Sequence, residues 1–204
     1  MRIEIRDDVV LIDGYVNAVE RDSKVLRDRD GSFVERIKAG AFQRAIERAK
    51  KMRYDIKVLL NHMHDRELTS TKETTTKLQE DAIGLRCKCE IRDSEVIEKA
   101  KAGKLVGWSF GFVRLKEDRS DGDVQHRDVR ELELLEVSIL DDRKIPAYDG
   151  TSIETRSEYV DDYYEIRMVN DEIEVVDYTT HDNNHEKTFN NYEWENRYMA
   201  TRAR

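Results

Sequence analysis

The amino-acid sequence predicts a mainly β domain, a barrel or a sandwich, with two helices attached to it. About seven segments have the residue pattern of strands, whereas only two have apolar residues at helical spacing. Strands and helices do not alternate regularly along the chain, which argues against a doubly wound sheet. We therefore expect a β core that the two helices flank.

The predicted strands are short segments in which apolar and polar residues alternate, or apolar runs that end at turn residues. Residues 83–91 alternate strictly, and the apolar run 56–60 ends in Asn61 and His62. Residues 129–140 form either one long strand or a pair. The remaining predicted strands are 1–6, 9–19, 33–37 and 105–116. Polar or charged composition predicts a loop or an exposed hairpin edge at 69–76 and a loop at 116–127.

Two segments are predicted as helices. Residues 41–49 combine good helix formers with apolar residues at helical spacing, which is typical of an amphipathic helix. Residues 93–103 begin with an acidic and a hydroxyl residue, have lysines in the last turn and end at Gly103. Capping and the helix dipole both favour that arrangement.

Charge is distributed unevenly between residues 1–156 and the C-terminal segment. The net charge is −8, and residues 157–204 contribute −7 of it with 12 acidic and 5 basic residues. The first 156 residues therefore have no strong basic field, which argues against nucleic acid as a partner. The C-terminal segment is also rich in aromatic residues and poor in aliphatic ones, so we predict a flexible tail, disordered or conditionally helical. The predicted domain covers residues 1–156.

Several other classes of protein are disfavoured by composition. No apolar run approaches the roughly 18 residues that a membrane span requires, and the N-terminus lacks the apolar block of a signal peptide. Cys87 and Cys89 are two apart, which fits neither a C-x-x-C redox pair nor a zinc pattern. Reduced, structural cysteines in a cytosolic protein are expected.

Ser109 lies in an apolar run, 105–112, with Gly107 and Gly111 on either side. A small residue in a buried strand is one interpretation, and a nucleophile that a substrate backbone can approach closely is the other. The spacing also matches the G-x-S-x-G of a hydrolase elbow, but that motif needs a helix after the serine. Residues 112–116 alternate as a strand does, so a lipase-like hydrolase is disfavoured.

A serine nucleophile needs a histidine base and a group that orients the histidine. His62 and His64 follow an apolar strand directly, whereas His126 lies in a charged segment and the other two histidines lie in the C-terminal segment. His62, His64 and Asp65 could alternatively bind a metal ion, but no further cluster of histidine or cysteine supplies a third ligand of that kind. We predict no metal and no cofactor.

Glu136 is a candidate for the orienting group. Strict alternation places it on the face of Leu132 and Leu134, where an acid costs free energy unless it is paired. The other interpretation is a bulge or register shift that leaves Glu136 exposed.

Taken together, these segments resemble the caudovirus prohead proteases, the serine proteases that mature the capsids of tailed phages. The resemblance covers about residues 10 to 156 in order and spacing. Its elements are residues 14–16, 40–42, 61–62, 84–85, 103–112, 135–138 and 146–148. The family is similar in fold to the herpesvirus assembly proteases, which implies a closed β-barrel with flanking helices.

The resemblance implies a role for each candidate residue. Ser109 is the nucleophile, His62 is the general base, and Glu136 is the orienting residue, with His126 and then Asp65 as rivals. Residues 141–145 depart from the expected shorter, apolar link, and Arg143 within them is a candidate to support the oxyanion, directly or through water.

The implied function is a serine endopeptidase of virion assembly. It would act in the host cytoplasm, inside the immature prohead, on scaffold or on the N-terminal segment of the major capsid protein. Self-processing and a homodimer are further expectations, and the C-terminal segment would bind scaffold or shell. The alternative is a non-catalytic assembly or scaffolding protein in which Ser109 is merely buried.

Overall fold

A computed structural model describes residues 1–28, 31–120, 122, 124–144, 164–170, 172–179 and 186–189. The helices are α1 (Ala41–Met52) and α2 (Ser94–Lys101). The strands are β1 (Arg2–Arg6), β2 (Val9–Ala18), β3 (Leu26–Asp28), β4 (Gly31–Ile37), β5 (Lys57–Leu60), β6 (Glu67–Ser70), β7 (Lys77–Glu80), β8 (Gly84–Ile91), β9 (Leu105–Ser120), β10 (Gln125–Asp141), β11 (Tyr164–Asn170), β12 (Ile173–Asp177) and β13 (Glu186–Phe189).

The strands form two sheets around a shared core, so the predicted mainly β class with two helices is confirmed. The first sheet has the order β13-β12-β1-β2-β8-β7. The second has the order β11-β9-β10-β4-β3, and β5 joins it by pairing with β10 and β6. Trp108, Phe110 and Phe112 of β9 are fully buried, and Phe110 packs edge-on against Phe42 of α1. Alternation in β9 thus directs its aromatic residues into the core and Ser109 to the opposite face.

The two longest strands, β9 and β10, form an antiparallel hairpin that positions the rest of the second sheet. The first half of β10 pairs in parallel with β4, and its second half pairs in parallel with β5. The sequence predicted a loop at 116–127, but the strands continue to Ser120 and resume at Gln125. Charged residues fit this two-stranded extension because Arg130 can bind Asp118 across it.

Both helices lie where they were predicted. The buried residues of α1 are Ala41, Phe42, Ala45, Ile46 and Ala49. The N-terminus of α1 is held by Glu80, whose carboxylate accepts from the backbone N–H of Gly40 and of Gln43. Asp93 caps α2 by accepting from the backbone N–H of Val96 at 3.0 Å.

The closed barrel stays a prediction, because neither sheet closes on itself among the described residues. The prediction of a disordered or helical tail is wrong for 164–170, 173–177 and 186–189, which are strands. Composition averaged over the whole segment hid the alternation of Tyr164, Ile166 and Met168. The predicted boundary at residue 156 and the family-like segment 146–148 lie outside the described residues.

The strands of the C-terminal segment extend both sheets. Strand β12 pairs in parallel with β1, and Ile173 and Val175 are buried in the common core. Strand β11 pairs with β9 along its full length. In the described part of the chain, neither helix has the length and apolar character to cross a bilayer.

Candidate active site

The end of β5 places His62 against β10. Asn61 and His62 both have a left-handed backbone, with φ of 55° and 61°, which turns the chain sharply after the strand. Asn61 is buried and secures this turn: its backbone N–H donates to the Ile139 carbonyl, and its Oδ1 accepts from the Asp141 backbone N–H. Two successive non-glycine residues in this conformation carry strain that tertiary contacts must offset. The turn directs the His62 ring back toward β10.

A β-bulge places Glu136 on the face of the sheet that carries Ser109. Leu134 pairs with Phe112 and Glu136 pairs with Gly111, so Leu135 is the extra residue. Glu136 therefore does not share the face of Leu134, as strict alternation predicted, and it is not exposed either, because it is 1% accessible. Each interpretation from the sequence was correct in one part: the acid is buried and paired, and a bulge does occur, but the bulge changes the face of Glu136 without exposing it.

The buried Glu136 carboxylate accepts three hydrogen bonds. His62 Nδ1 lies 2.8 Å from Oε1, Tyr164 Oη donates to the same oxygen at 2.7 Å, and Ser138 Oγ donates to Oε2 at 2.5 Å. These donors offset the cost of burying the acid. Burial, and then the charge of Glu136, raises the pKa of Tyr164 far above its ordinary value, so the phenol stays protonated and donates.

The contact with Glu136 defines the state of the His62 ring. A carboxylate only accepts hydrogen bonds, so Nδ1 carries the proton and, in the neutral ring, Nε2 presents a lone pair. Nε2 is buried and has no hydrogen-bond partner in the described part of the chain. An imidazole held in this way can take up a proton at Nε2.

Ser109 lies one strand away from this cluster. It is the register partner of Ser138, so the two side chains share a face of the β9–β10 pair. The Ser138 hydroxyl also accepts the backbone N–H of His62 at 3.1 Å and thereby joins His62 and Glu136. However, the Ser109 hydroxyl donates to the Arg167 carbonyl of β11 at 2.7 Å, and Ser109 is fully buried.

The rival residues lie elsewhere. His126 is ten residues from Glu136 along β10, about 30 Å at the rise of a strand. Asp65 is exposed in the turn after β5 and makes no hydrogen bond to His62 in the described part of the chain. Arg143, the candidate to support the oxyanion, binds Asp141 at 2.7 Å and Glu95 at 2.9 Å. No metal-binding cluster occurs among the described residues.

Sequence reasoning did not identify three parts of this cluster. Ser138 could have been found as a polar residue in an apolar strand, two residues after Glu136. The turn at Asn61 has a weaker signal, because asparagine tolerates the left-handed region. Tyr164 could not have been identified from the sequence, since nothing in its local sequence indicates that β11 pairs with β9.

The comparisons with known proteins agree with the family that the sequence motifs suggested. No curated protein and no solved structure matches the chain. A family model described as caudovirus prohead serine protease matches residues 1–165 of 204, which include His62, Ser109 and Glu136. Because the match covers most of its length, the chain belongs to the caudovirus prohead serine protease family.

Proposed function

We propose that this protein is a prohead maturation protease in which Ser109 is the nucleophile, His62 the general base and Glu136 the orienting acid. Family membership supports the class of the enzyme, a serine peptidase of phage capsid maturation, and its action inside the procapsid in the host cell. The assignment of the three residues is our inference.

The observation that carries this assignment is the hydrogen bond between His62 Nδ1 and Glu136 Oε1. It leaves Nε2 to receive the proton of Ser109 as Oγ attacks the scissile carbonyl carbon. The same nitrogen then protonates the leaving amine, and water hydrolyses the acyl-serine by the reverse proton transfers. Burial of Glu136 strengthens its stabilisation of the imidazolium that forms during each transfer.

The substrates we propose are the scaffold and the N-terminal segment of the major capsid protein. Self-processing within the C-terminal segment, and its binding to scaffold or shell, belong to the same proposal, as does a homodimer. The segment's strong negative charge supports a contact role, since such a charge favours basic partners.

The test is co-expression with the capsid protein and scaffold, followed by intact-mass analysis of all chains. Ser109→Ala should abolish every cleavage while the protein stays folded. Ser120→Ala is a matched control, because Ser120 lies at the far end of the same strand. Cleavage that persists in Ser109→Ala, or that Ser120→Ala also abolishes, would contradict the assignment.

One observation favours the second candidate, a non-catalytic assembly protein: Ser109 is fully buried and its hydroxyl is bound to β11. A fluorophosphonate probe distinguishes the two. The probe is applied to purified proheads that contain the protein. Covalent labelling of Ser109 supports the protease, whereas the absence of labelling supports the assembly role.

A further inference from the structure

Strand β11 lies on β9 as a bound peptide lies on the edge of a sheet. Seven residues pair in antiparallel register, from Tyr164 opposite Val113 to Asn170 opposite Gly107. Main-chain pairing of this kind is a common mode of peptide recognition, in which alternate side chains of the peptide enter pockets. The edge of β9 that carries Ser109 is therefore able to hold an extended chain.

The register places a main-chain carbonyl on the proposed nucleophile. Ser109 Oγ lies 2.7 Å from the carbonyl oxygen of Arg167, and Tyr164 of the same strand binds Glu136. Strand β11 thus contacts two of the three proposed catalytic residues at once. Ser109 has no accessible surface in this arrangement, so a substrate strand can reach Ser109 only when β11 is not bound there.

The side chain of Arg167 enters a buried site with a fixed acid. Its Nε and Nη2 donate to the two oxygens of Glu35 in β4, both at 2.7 Å, and its guanidinium lies 5.3 Å from the centre of the Phe112 ring. Arg167 is 8% exposed and Glu35 is 4% exposed. A paired fork of hydrogen bonds to a buried carboxylate selects a guanidinium strongly, since a neutral side chain would leave the acid uncompensated.

Glu35 belongs to the predicted protease domain and Arg167 to the C-terminal segment, so the chain supplies both the pocket and its occupant. Glu165 also binds Arg167, at 2.5 Å, but it belongs to β11 itself and is therefore not part of the pocket. We propose that β11 occupies the substrate-binding edge of β9, and that Glu35 selects substrates with arginine at the residue whose carbonyl Ser109 attacks. This inference rests on the proposed function and names the substrate class of that site.

The corresponding reaction breaks the peptide bond after the arginine. Ser109 Oγ forms a bond to the arginine carbonyl carbon as its proton passes to His62 Nε2, and the C–N bond breaks as that proton reaches the amine. In β11 itself the Ser109 proton is directed at the Arg167 oxygen and not at His62. Strand β11 is therefore held as an occupant that must leave before another strand is cleaved.

The test measures binding in the full chain carrying Ser109→Ala, so that its result does not depend on catalysis. Arg167→Gln is added to weaken β11 as a competitor. Fluorescence anisotropy compares two labelled peptides with the sequence of residues 162–172, one natural and one with citrulline, the neutral isostere, in place of arginine. We expect the natural peptide to bind about tenfold tighter or more, and Glu35→Gln to remove this preference.

Asp13→Asn is the matched control variant, because Asp13 forms a similar two-bond pair with Arg86 on the other sheet, at 2.7 and 2.9 Å. It should retain the preference for arginine. Equal affinity for the two peptides, no binding of either, or a preference that survives Glu35→Gln would overturn the inference. The citrulline comparison needs no change at Glu35, so it decides the matter even if Glu35→Gln fails to fold. A preference for arginine, together with cleavage that persists in Ser109→Ala on co-expression, would instead contradict the proposed function.

Discussion

Two buried acids on β10, Glu136 and Asp141, lie five residues apart and have different partners. Asp141 is bound by two permanent cations, with Arg143 Nη2 at 2.7 Å and Lys99 Nζ at 3.1 Å. Glu136 is bound by a histidine and two neutral hydroxyl groups. Burial alone would raise the pKa of Asp141, but the hydrogen bonds from Arg143 and its other partners lower it well below its ordinary value. Asp141 is thus a permanent structural charge, whereas Glu136 has a partner whose proton can move.

The contrast predicts that loss of the Glu136 carboxylate lowers activity, whereas loss of the Asp141 carboxylate lowers stability. Glu136→Gln should lower kcat by on the order of 10⁴-fold, because an amide can stabilise the wrong tautomer of His62. Stability should change little, since the amide keeps hydrogen-bonding capacity at the site. Cleavage kinetics on a peptide substrate and urea unfolding measure the two effects. Glu131→Gln, on the same strand, is the control and should retain activity.

Asp141→Asn should show the reverse pattern, with a loss of about 2 kcal/mol in the free energy of unfolding, because Lys99 and Arg143 each lose the buried one of their charged partners. Asp142→Asn is the control: Asp142 binds Lys99 and Lys104 but is more exposed, so its loss should cost less than about 1 kcal/mol. Equal losses in urea unfolding would show that burial of the acid does not matter here.

The effect of Asp141 on stability should also depend on pH. Since its folded pKa lies below the ordinary 3.8, the carboxylate stabilises the fold fully above that value. The contribution is lost as pH falls below 3.8 toward the folded pKa. Unfolding curves of the natural protein and Asp141→Asn should therefore differ at neutral pH and converge in acid. A gap between the curves that stays constant down to pH 2 would refute this linkage.

Ser138→Ala should have the smallest effect, because Glu136 keeps two other donors. Loss of the hydroxyl removes one donor to Glu136 and the acceptor for the His62 backbone N–H. We expect a reduction in kcat of about tenfold, with KM unchanged. Steady-state kinetics beside Ser120→Ala would check it, and a larger loss than Glu136→Gln causes would mean that Ser138 itself takes part in the reaction.

Much of the fold could be predicted from local sequence. The two helices appear close to their predicted bounds, because their spacing and capping signals are local. Most of the early strands do as well, since alternation is a property of consecutive residues. The extension of β9 and β10 could not be predicted, because charged residues form strands only when another strand lies beside them.

The candidate site, like the fold, was predicted only in part. Residue types made His62, Ser109 and Glu136 candidates and the family resemblance implied their roles, but neither predicted the contacts among them. The face on which Glu136 lies depends on a bulge, and a bulge of one residue reverses the side chains that follow it. Tyr164 and Arg167 were assigned to a disordered or conditionally helical segment, because composition cannot show that an edge of β9 is available for them to pair with.

The sequence by itself determined the β class, the two helices, the family and the residues available for chemistry. Only the tertiary structure decided that His62 contacts Glu136, that Ser138 joins them, and that β11 covers Ser109. The physical reason is that periodicity and capping act over a few neighbours along the chain. The site depends on register between strands up to 132 residues apart, as for Glu35 and Arg167, and such pairing is decided by burial of the whole core.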